Sequence, residues 1–280
     1  MKQLRLSAFS DEYAKDFHRQ IEGMRNFGID FVELRHLDGK NVSLLTTDEL
    51  EEAKTILDAY GVRVSAIGSP LGKIPLDGDL DAHFETAKRV FEAANRMETP
   101  LVRIFSFYPP EGRRIGDCRG EVIDAVGTLL EIARTYGVTL CHENEARIYG
   151  DTPERCRDLL DAFSGALKCV FDMGNFVLEG VTPYPDAYLL LQPYIAYFHI
   201  KDALQAGAIV PPGRGEAQIK EILTAHRAYT EEDFFVSLEP HLQLFSGRNA
   251  LVGRTFENPY RYESAECAFA DAVTKFTELL

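Results

Sequence analysis

Short apolar runs alternate with amphipathic patterns along the whole chain. Eight of the apolar runs have the length and composition of buried strands. They are Leu4–Phe9, Phe31–Leu34, Arg63–Gly68, Leu101–Phe107, Val138–Glu143, Leu167–Asp172, Ile195–Ile200 and Phe234–Glu239. Between them apolar residues recur at every third or fourth position, as at Phe17, Ile21 and Met24, which predicts amphipathic helices packed on the strands.

The predicted helix ends carry local signals. Thr46 and Glu49 have the spacing of a capping box, and Thr152 and Thr182 each precede a proline, the order expected for an N-cap and the first helical position. A glycine closes three predicted helices shortly before the next strand, in "NFGIDFVEL", "AYGVRVSAI" and "TYGVTLCHE". Such short helix-to-strand connections are typical of repeated β/α units.

This alternation predicts an α/β fold, a (β/α)8 TIM barrel that spans residues 1–280 as a single domain. A doubly wound open sheet is the alternative, but it usually carries a glycine-rich turn after its first strand, where this chain has "AFSDEYAKD". Two long connections, "SFYPPEGRRIGDCRG" and "PHLQLFSGRNALVGRTFENPYRYES", follow predicted strand ends. Long loops at the C-terminal ends of barrel strands predict covers over a binding site, with disordered insertions as the alternative.

The C-terminal ends of the last four predicted strands each carry one strong metal-ligating side chain. The stretches read "LCHENE", "VFDMGN", "YFHIKD" and "SLEPH", and the residues are Glu143, Asp172, His199 and Glu239. Consecutive strands of a barrel are neighbours, so the four side chains can converge on one point. Any one alone is better explained as a solvated acid or a core histidine, whereas four in succession favour a metal site. Three carboxylates and an imidazole suit Mn²⁺ or Mg²⁺, with Co²⁺, Fe²⁺ and Zn²⁺ as substitutes.

Composition and charge exclude several classes of partner and site. The formal net charge is −14 and no basic patch stands out, which argues against nucleic acid as a partner and favours a small-molecule substrate. The five cysteines are scattered without a C-x-x-C pair, so neither a disulfide framework nor a zinc knuckle is expected. No apolar stretch has the length of a membrane span, and "MKQLRLSAF" resembles a strand more than a signal peptide. The expected location is cytoplasmic, and whether the chain forms a homo-oligomer stays open.

Six motifs together resemble a known family. "VELR", "IGSPLGK", "HENE", "FDMGN", "HIKD" and "SLEPH", in this order, are similar to motifs of the sugar phosphate isomerase/epimerase family with a xylose isomerase-like TIM barrel, which includes the ketose 3-epimerases. The resemblance implies a metal-dependent isomerase or epimerase that acts on a sugar, a sugar phosphate or a polyol through an enediolate, with Mn²⁺ as the expected ion. It also implies that Glu143 and Glu239 bind the ion and serve as acid and base, while Asp172 and His199 complete the metal shell.

Two positions depart from the family pattern, and several softer candidates remain. Asn175 and Glu145 stand where many members have histidines. The candidates for substrate contact are Glu33, His36, Ser69, Lys73, Asn175 and Arg214, each of which also suits a structural ion pair or a solvated turn. By strand alternation His142 is expected to point away from the site, and Lys201 is expected to face away from His199.

Three other functions are alternatives to an isomerase. An AP-endonuclease-type nuclease has a similar barrel but needs several zinc ions, more histidines at strand ends and a basic face. A non-enzymatic binding protein is not expected to retain an intact set of four ligands. A metal-dependent dehydratase of the inosose type is the main alternative, because it would use the same ion and carboxylates and expel a β-hydroxyl after removing the proton.

Overall fold

Eight parallel strands form one sheet in the computed structural model, which describes residues 3–242 and 260–280. In chain order they are β1 (Leu4–Ala8), β2 (Phe31–Leu34), β3 (Arg63–Gly68), β4 (Leu101–Ile104), β5 (Thr139–Glu143), β6 (Lys168–Asp172), β7 (Ile195–Ile200) and β8 (Phe234–Leu238). Hydrogen-bonded neighbours follow chain order from β2 to β8, and β8 also pairs with β1, so the sheet curves into a nearly closed barrel. The predicted TIM barrel is confirmed and the doubly wound sheet is excluded.

Helices alternate with the strands and cover the outside of the barrel. Within the described residues they are α1 (Phe17–Asn26), α2 (Thr47–Tyr60), α3 (Leu80–Arg96), α4 (Arg119–Tyr136), α5 (Pro153–Ala162), α6 (Met173–Leu178), α7 (Tyr188–Leu191), α8 (Ile219–Tyr229) and α9 (Ala265–Leu279). None of these described helices is both long enough and apolar enough to cross a membrane. Two short hairpins, His36–Leu37 with Lys40–Asn41 and Asp202–Ala203 with Ile209–Val210, follow β2 and β7.

Most of the predicted helix ends are found. The Thr46 side chain accepts the N–H of Glu49, and the Glu49 carboxylate accepts the N–H of Thr46, which confirms the capping box. Thr152 caps α5 with a proline in its first turn. Gly61 and Gly137 end α2 and α4 with φ of 64° and 68°, a left-handed conformation that favours glycine.

The predicted cap at Thr182 is wrong. Pro183–Ala187 forms a short π-helical segment in which Tyr184 is extended, and Thr182 makes no capping hydrogen bond. Tyr184 precedes Pro185, and a residue before proline avoids the helical conformation. The N–H of Tyr184 instead donates to Oε1 of Gln218 at 3.0 Å. This hydrogen bond links the turn to the residue immediately before α8.

The two long loops have different outcomes. β4 ends earlier than predicted, because the N–H groups of Phe105 and Phe107 donate to the carbonyls of Leu71 and Gly72 in the loop after β3. The connection after β4 then contains one turn of 3-10 helix at Ile115–Cys118. The predicted cover after β8 falls largely on residues 243–259, which lie outside the described residues.

Strand alternation divides the barrel side chains into an outer and an inner set. Outward residues pack into the main core against the helices, and examples are Val32, Leu140, Phe171 and Phe198. The inner set includes a small apolar cluster of Ala66, Cys141, Val170 and Tyr197. The next inward position on β5, β6 and β7 is Glu143, Asp172 and His199 respectively, so the site lies directly above an apolar floor.

Candidate active site

The structure brings the four predicted metal ligands together at the C-terminal ends of β5 to β8. They are Glu143, Asp172, His199 and Glu239, called the quartet below, and all four are buried. One ligand atom from each lies within 4.8 Å of the others. His199 Nδ1 is 3.0 Å from Glu143 Oε1 and 3.5 Å from Glu239 Oε2, and it lies 3.9 Å from Asp172 Oδ2. The convergence expected of consecutive barrel strands is therefore present.

Glu33, suggested by the sequence as a substrate contact, lies on the opposite side of the His199 ring. Its Oε2 is 3.1 Å from His199 Nε2, and its Oε1 accepts the Tyr197 hydroxyl at 2.9 Å. Glu33 and His199 have no exposed surface. A carboxylate on one ring nitrogen fixes the tautomer and leaves the other nitrogen available to an ion. Glu33 thus orients Nδ1 toward the quartet.

Two arginines that the sequence analysis did not single out, one buried and one partly buried, hold the outer oxygens of the two glutamates. Arg103 on β4 donates from Nη1 to Glu143 Oε2 at 2.9 Å, and Arg35 after β2 donates from Nη1 to Glu239 Oε1 at 2.9 Å. The signal that could have found them is alternation, because Arg35 lies two residues after Glu33, and Arg103 occupies an inward position of the apolar strand β4.

Lys201 lies inside the quartet, so the expectation that it faces away from His199 is wrong. Residues two apart on a strand point to the same side, and the two are separated by one residue. Lys201 Nζ donates to Asp172 Oδ2 at 2.8 Å, to Glu239 Oε2 at 2.9 Å and to Asn175 Oδ1 at 3.1 Å. His142, by contrast, bonds Ser106 at 2.9 Å, away from the quartet as expected.

The surroundings shift the pKa values of Glu143 and Asp172 in opposite directions. Burial would raise the pKa of Glu143, but the charges of His199 and Arg103 outweigh burial and hold that pKa well below its usual value. For Asp172 burial prevails over the charge of Lys201 and raises its pKa to about 7. Glu143 is therefore firmly ionised, whereas Asp172 holds its proton more strongly.

An aromatic ring separates the two arginines. Phe9 lies with its ring centre 4.4 Å from the guanidinium of Arg35, 5.3 Å from that of Arg103 and 5.1 Å from the ring of His199. A Cβ at Gly68, the last residue of β3, would lie 2.5 Å from Phe9 Cε1. Glycine at this position therefore makes room for the ring that supports the site.

Two of the predicted substrate contacts lie where solvent reaches them. Lys73 Nζ is 3.1 Å from Glu145 Oε2 and 4.1 Å from the ring centre of Phe105, with 36% and 26% of the Lys73 and Glu145 side chains exposed. His36 Nδ1 is 2.9 Å from Asp11 Oδ2, and 38% of its side chain is exposed.

The remaining three candidates have distinct positions. Asn175 joins the quartet, because its Nδ2 donates to Glu143 Oε1 at 3.3 Å. Ser69 is buried and donates to the carbonyl of Arg103 at 2.5 Å, so it supports that residue. Within residues 3–242 and 260–280 no contact of the Arg214 side chain with the quartet is found.

The donor set fits a hard divalent ion. Together with Glu33, the three carboxylates of the quartet face two buried cations, Arg103 and Lys201. Arg35 is shared with Asp11. Binding of an ion requires the neutral form of the His199 imidazole. In that form the four carboxylates and the two buried cations leave two negative charges, which a divalent ion would balance.

Comparison with known proteins points to the same fold. The family model described as a xylose isomerase-like TIM barrel matches residues 21–247. A search of curated proteins found no match.

Several solved structures are similar over nearly the full chain. A probable 3-DHS dehydratase involved in petrobactin synthesis from Bacillus anthracis has a TM-score of 0.74 at 18% identity, over 98% of this chain and 99% of that one. D-allulose 3-epimerase from Methylomonas sp. in complex with D-allulose has a TM-score of 0.73 at 15% identity, over 99% and 97%. A xylose isomerase-like TIM barrel protein from Mycobacterium smegmatis in complex with magnesium has a TM-score of 0.70 at 18% identity, over 100% and 97%. At these identities the likeness shows the fold alone.

Proposed function

Because the chain belongs to the xylose isomerase-like TIM barrel family, we propose that it is a metal-dependent sugar isomerase or epimerase that acts on a hydroxy-carbonyl substrate. The observation that carries the proposal is the convergence of the quartet at the C-terminal face of the barrel, where TIM-barrel enzymes hold their active sites. Mn²⁺ is the expected ion, with Mg²⁺, Co²⁺ and Zn²⁺ as alternatives. The expected substrate is a small sugar or polyol, and the expected location is the cytoplasm.

Glu143 and Glu239 suit the two proton transfers. They lie at the ends of β5 and β8, so the intervening β6 and β7 separate them across the site. Each has one oxygen facing the quartet and the other held by an arginine, Arg103 for Glu143 and Arg35 for Glu239. The arginines favour the ionised carboxylate, which is the form that accepts a proton.

The reaction then follows from these positions. A divalent ion bound by the quartet would supply positive charge for the negative charge that develops on the substrate oxygens. One glutamate accepts the α-proton, and the other returns a proton from the opposite face to give an epimer. Return to the neighbouring carbon gives an isomer. His36, Lys73 and Asn175 are proposed to bind the hydroxyls of the substrate, with Glu145 beside Lys73 at the solvent-exposed mouth.

Solvent exchange tests the proposal. The Mn²⁺-loaded protein is incubated in D₂O with a panel of ketoses, polyols and keto-inositols, and NMR follows loss of C–H signals and formation of products. The expected result is exchange at the carbon next to a carbonyl, with an epimer or isomer as product and a strongly reduced rate of product formation in a Glu143→Gln variant. A product lacking one hydroxyl would favour the dehydratase instead. No exchange with any member of the panel would contradict the proposal.

A further inference from the structure

The ammonium of Lys201 binds two of the four atoms that face the centre of the quartet. Asp172 Oδ2 and Glu239 Oε2 accept hydrogen bonds from Nζ at 2.8 and 2.9 Å, and these are the same oxygens that face His199 Nδ1. Asn175 Oδ1 accepts the third at 3.1 Å. A lysine has three N–H donors, so all of them are used inside the site.

The backbone is shaped to admit this side chain. A Cβ at Gly174 would lie 2.6 Å from Lys201 Cγ and 2.8 Å from Lys201 Cβ. Any larger residue at the start of α6 would therefore displace the lysine stem. Lys201 is only 3% exposed, and its aliphatic part lies against the backbone that carries Asp172. The lysine is confined, and it has little room to withdraw when another cation approaches the same oxygens.

A fixed cation that shares ligand oxygens with a metal ion has two opposing effects. Without the ion, it neutralises carboxylates that would otherwise repel each other and holds them in the geometry that the ion requires. With the ion, an ammonium and a dication bind the same oxygens in a site of low polarity, and their repulsion weakens binding of the ion. A lysine that served structure alone would only weaken metal binding when removed.

We propose that Lys201 is a positioning residue that takes the place of the metal ion in the ion-free protein, and that its charge lowers the affinity of the quartet for that ion. The inference rests on the proposed function, because it takes the quartet to be the metal site. It adds a property that the quartet alone does not imply, namely that the ligands are already arranged before an ion binds.

Thermal unfolding and calorimetric titration with Mn²⁺ test this on the full chain. For Lys201→Met we expect a lower melting temperature in EDTA, a larger rise on adding Mn²⁺ and a dissociation constant lower than that of the wild type by about tenfold or more. Lys201→Arg keeps the charge, so its dissociation constant should stay within a few-fold of the wild type. Lys40→Met, which removes a surface ion pair with Glu49, is the matched control. It should change neither the melting temperatures nor the dissociation constant for Mn²⁺.

The outcomes separate the two proposals. If the wild type binds Mn²⁺ and Lys201→Met binds it equally or more weakly, the role of Lys201 is wrong and the metal site stands. If neither protein binds Mn²⁺, Co²⁺, Mg²⁺ or Zn²⁺, both proposals fail. Should Lys201→Met not fold in EDTA, it is refolded with Mn²⁺ and its affinity is measured by chelator competition, where weaker retention than in the wild type would overturn the inference.

Discussion

Removing Arg103 should cost much of the stability of the metal-free protein. Arg103 and Glu143 are 6% and 1% exposed at their side chains, and their oxygen–nitrogen distance is 2.9 Å. Arg103→Met keeps the aliphatic stem near Phe9 but leaves the Glu143 charge without this partner. Breaking a buried pair from one side typically costs about 3–5 kcal/mol, so we expect the free energy of unfolding to fall by that amount. Urea denaturation in EDTA measures it.

The chain offers a matched control for this prediction. Arg113 makes two hydrogen bonds to Glu121, at 2.7 and 2.9 Å, but the side chains are 41% and 50% exposed. Arg113→Met should therefore cost less than about 1 kcal/mol. Arg103→Met combined with Glu143→Gln should recover part of the loss, because the unpaired charge is gone. A loss below about 1 kcal/mol for Arg103→Met would refute the reasoning.

Three further predictions concern other groups. Glu143→Gln and Glu239→Gln should retain some metal binding through the amide oxygen yet lose turnover by roughly 10²- to 10⁴-fold, and near-normal turnover in either metal-loaded variant would rule out its role in proton transfer. Glu33→Gln should weaken Mn²⁺ binding by about 10- to 100-fold, as seen by titration, because the carboxylate no longer orients His199; unchanged affinity would argue against that role. Burial lowers the pKa of His226 to about 4 from about 6.5 in the unfolded chain, so the unfolded state gains protons first and stability should fall as pH drops through that range. Urea midpoints at pH 7 and 5 should therefore differ less for His226→Gln than for the wild type.

The strands and the quartet could be predicted because they depend on local patterns. Each buried strand is a continuous apolar run, and the acid or imidazole that ends it stands out within one window of sequence. Only the order of strands in a barrel is then needed to bring Glu143, Asp172 and His199 together. The bounds of β2, β3 and β7 agree with the prediction for the same reason.

The sequence does not show which arginine pairs with which carboxylate of the site. Arg103 and Glu143 are 40 residues apart, and Arg35 and Glu239 are 204 apart, so their contacts depend on the closed barrel and on the depth of each side chain. Alternation indicates that an arginine faces inward, but it does not identify the carboxylate that it meets. The position of Lys201, by contrast, follows from local geometry, because it lies two residues after His199 and therefore on the same side of the chain.

The remaining misses reflect competition between local and distant partners. Thr182 has the sequence of a helix cap, yet Pro185 and the side chain of Gln218 determine the backbone there. Glu33 has the position of a substrate contact, yet both of its oxygens bond to side chains from β7. Propensity and spacing identify such residues, but only the packed structure shows which partner prevails.

The metal content of the reconstituted protein tests the central claim most directly. Wild-type protein is loaded with Mn²⁺, Co²⁺, Mg²⁺ or Zn²⁺, desalted and measured by elemental analysis, alongside Asp172→Ala and His199→Ala variants whose folding is checked by circular dichroism. We predict about one ion per wild-type chain for at least one of these metals and a much lower content in both variants, since each lacks a ligand. Wild-type protein that retains none of the four metals, or variants that retain as much as the wild type, would contradict the assignment of the quartet as a metal site.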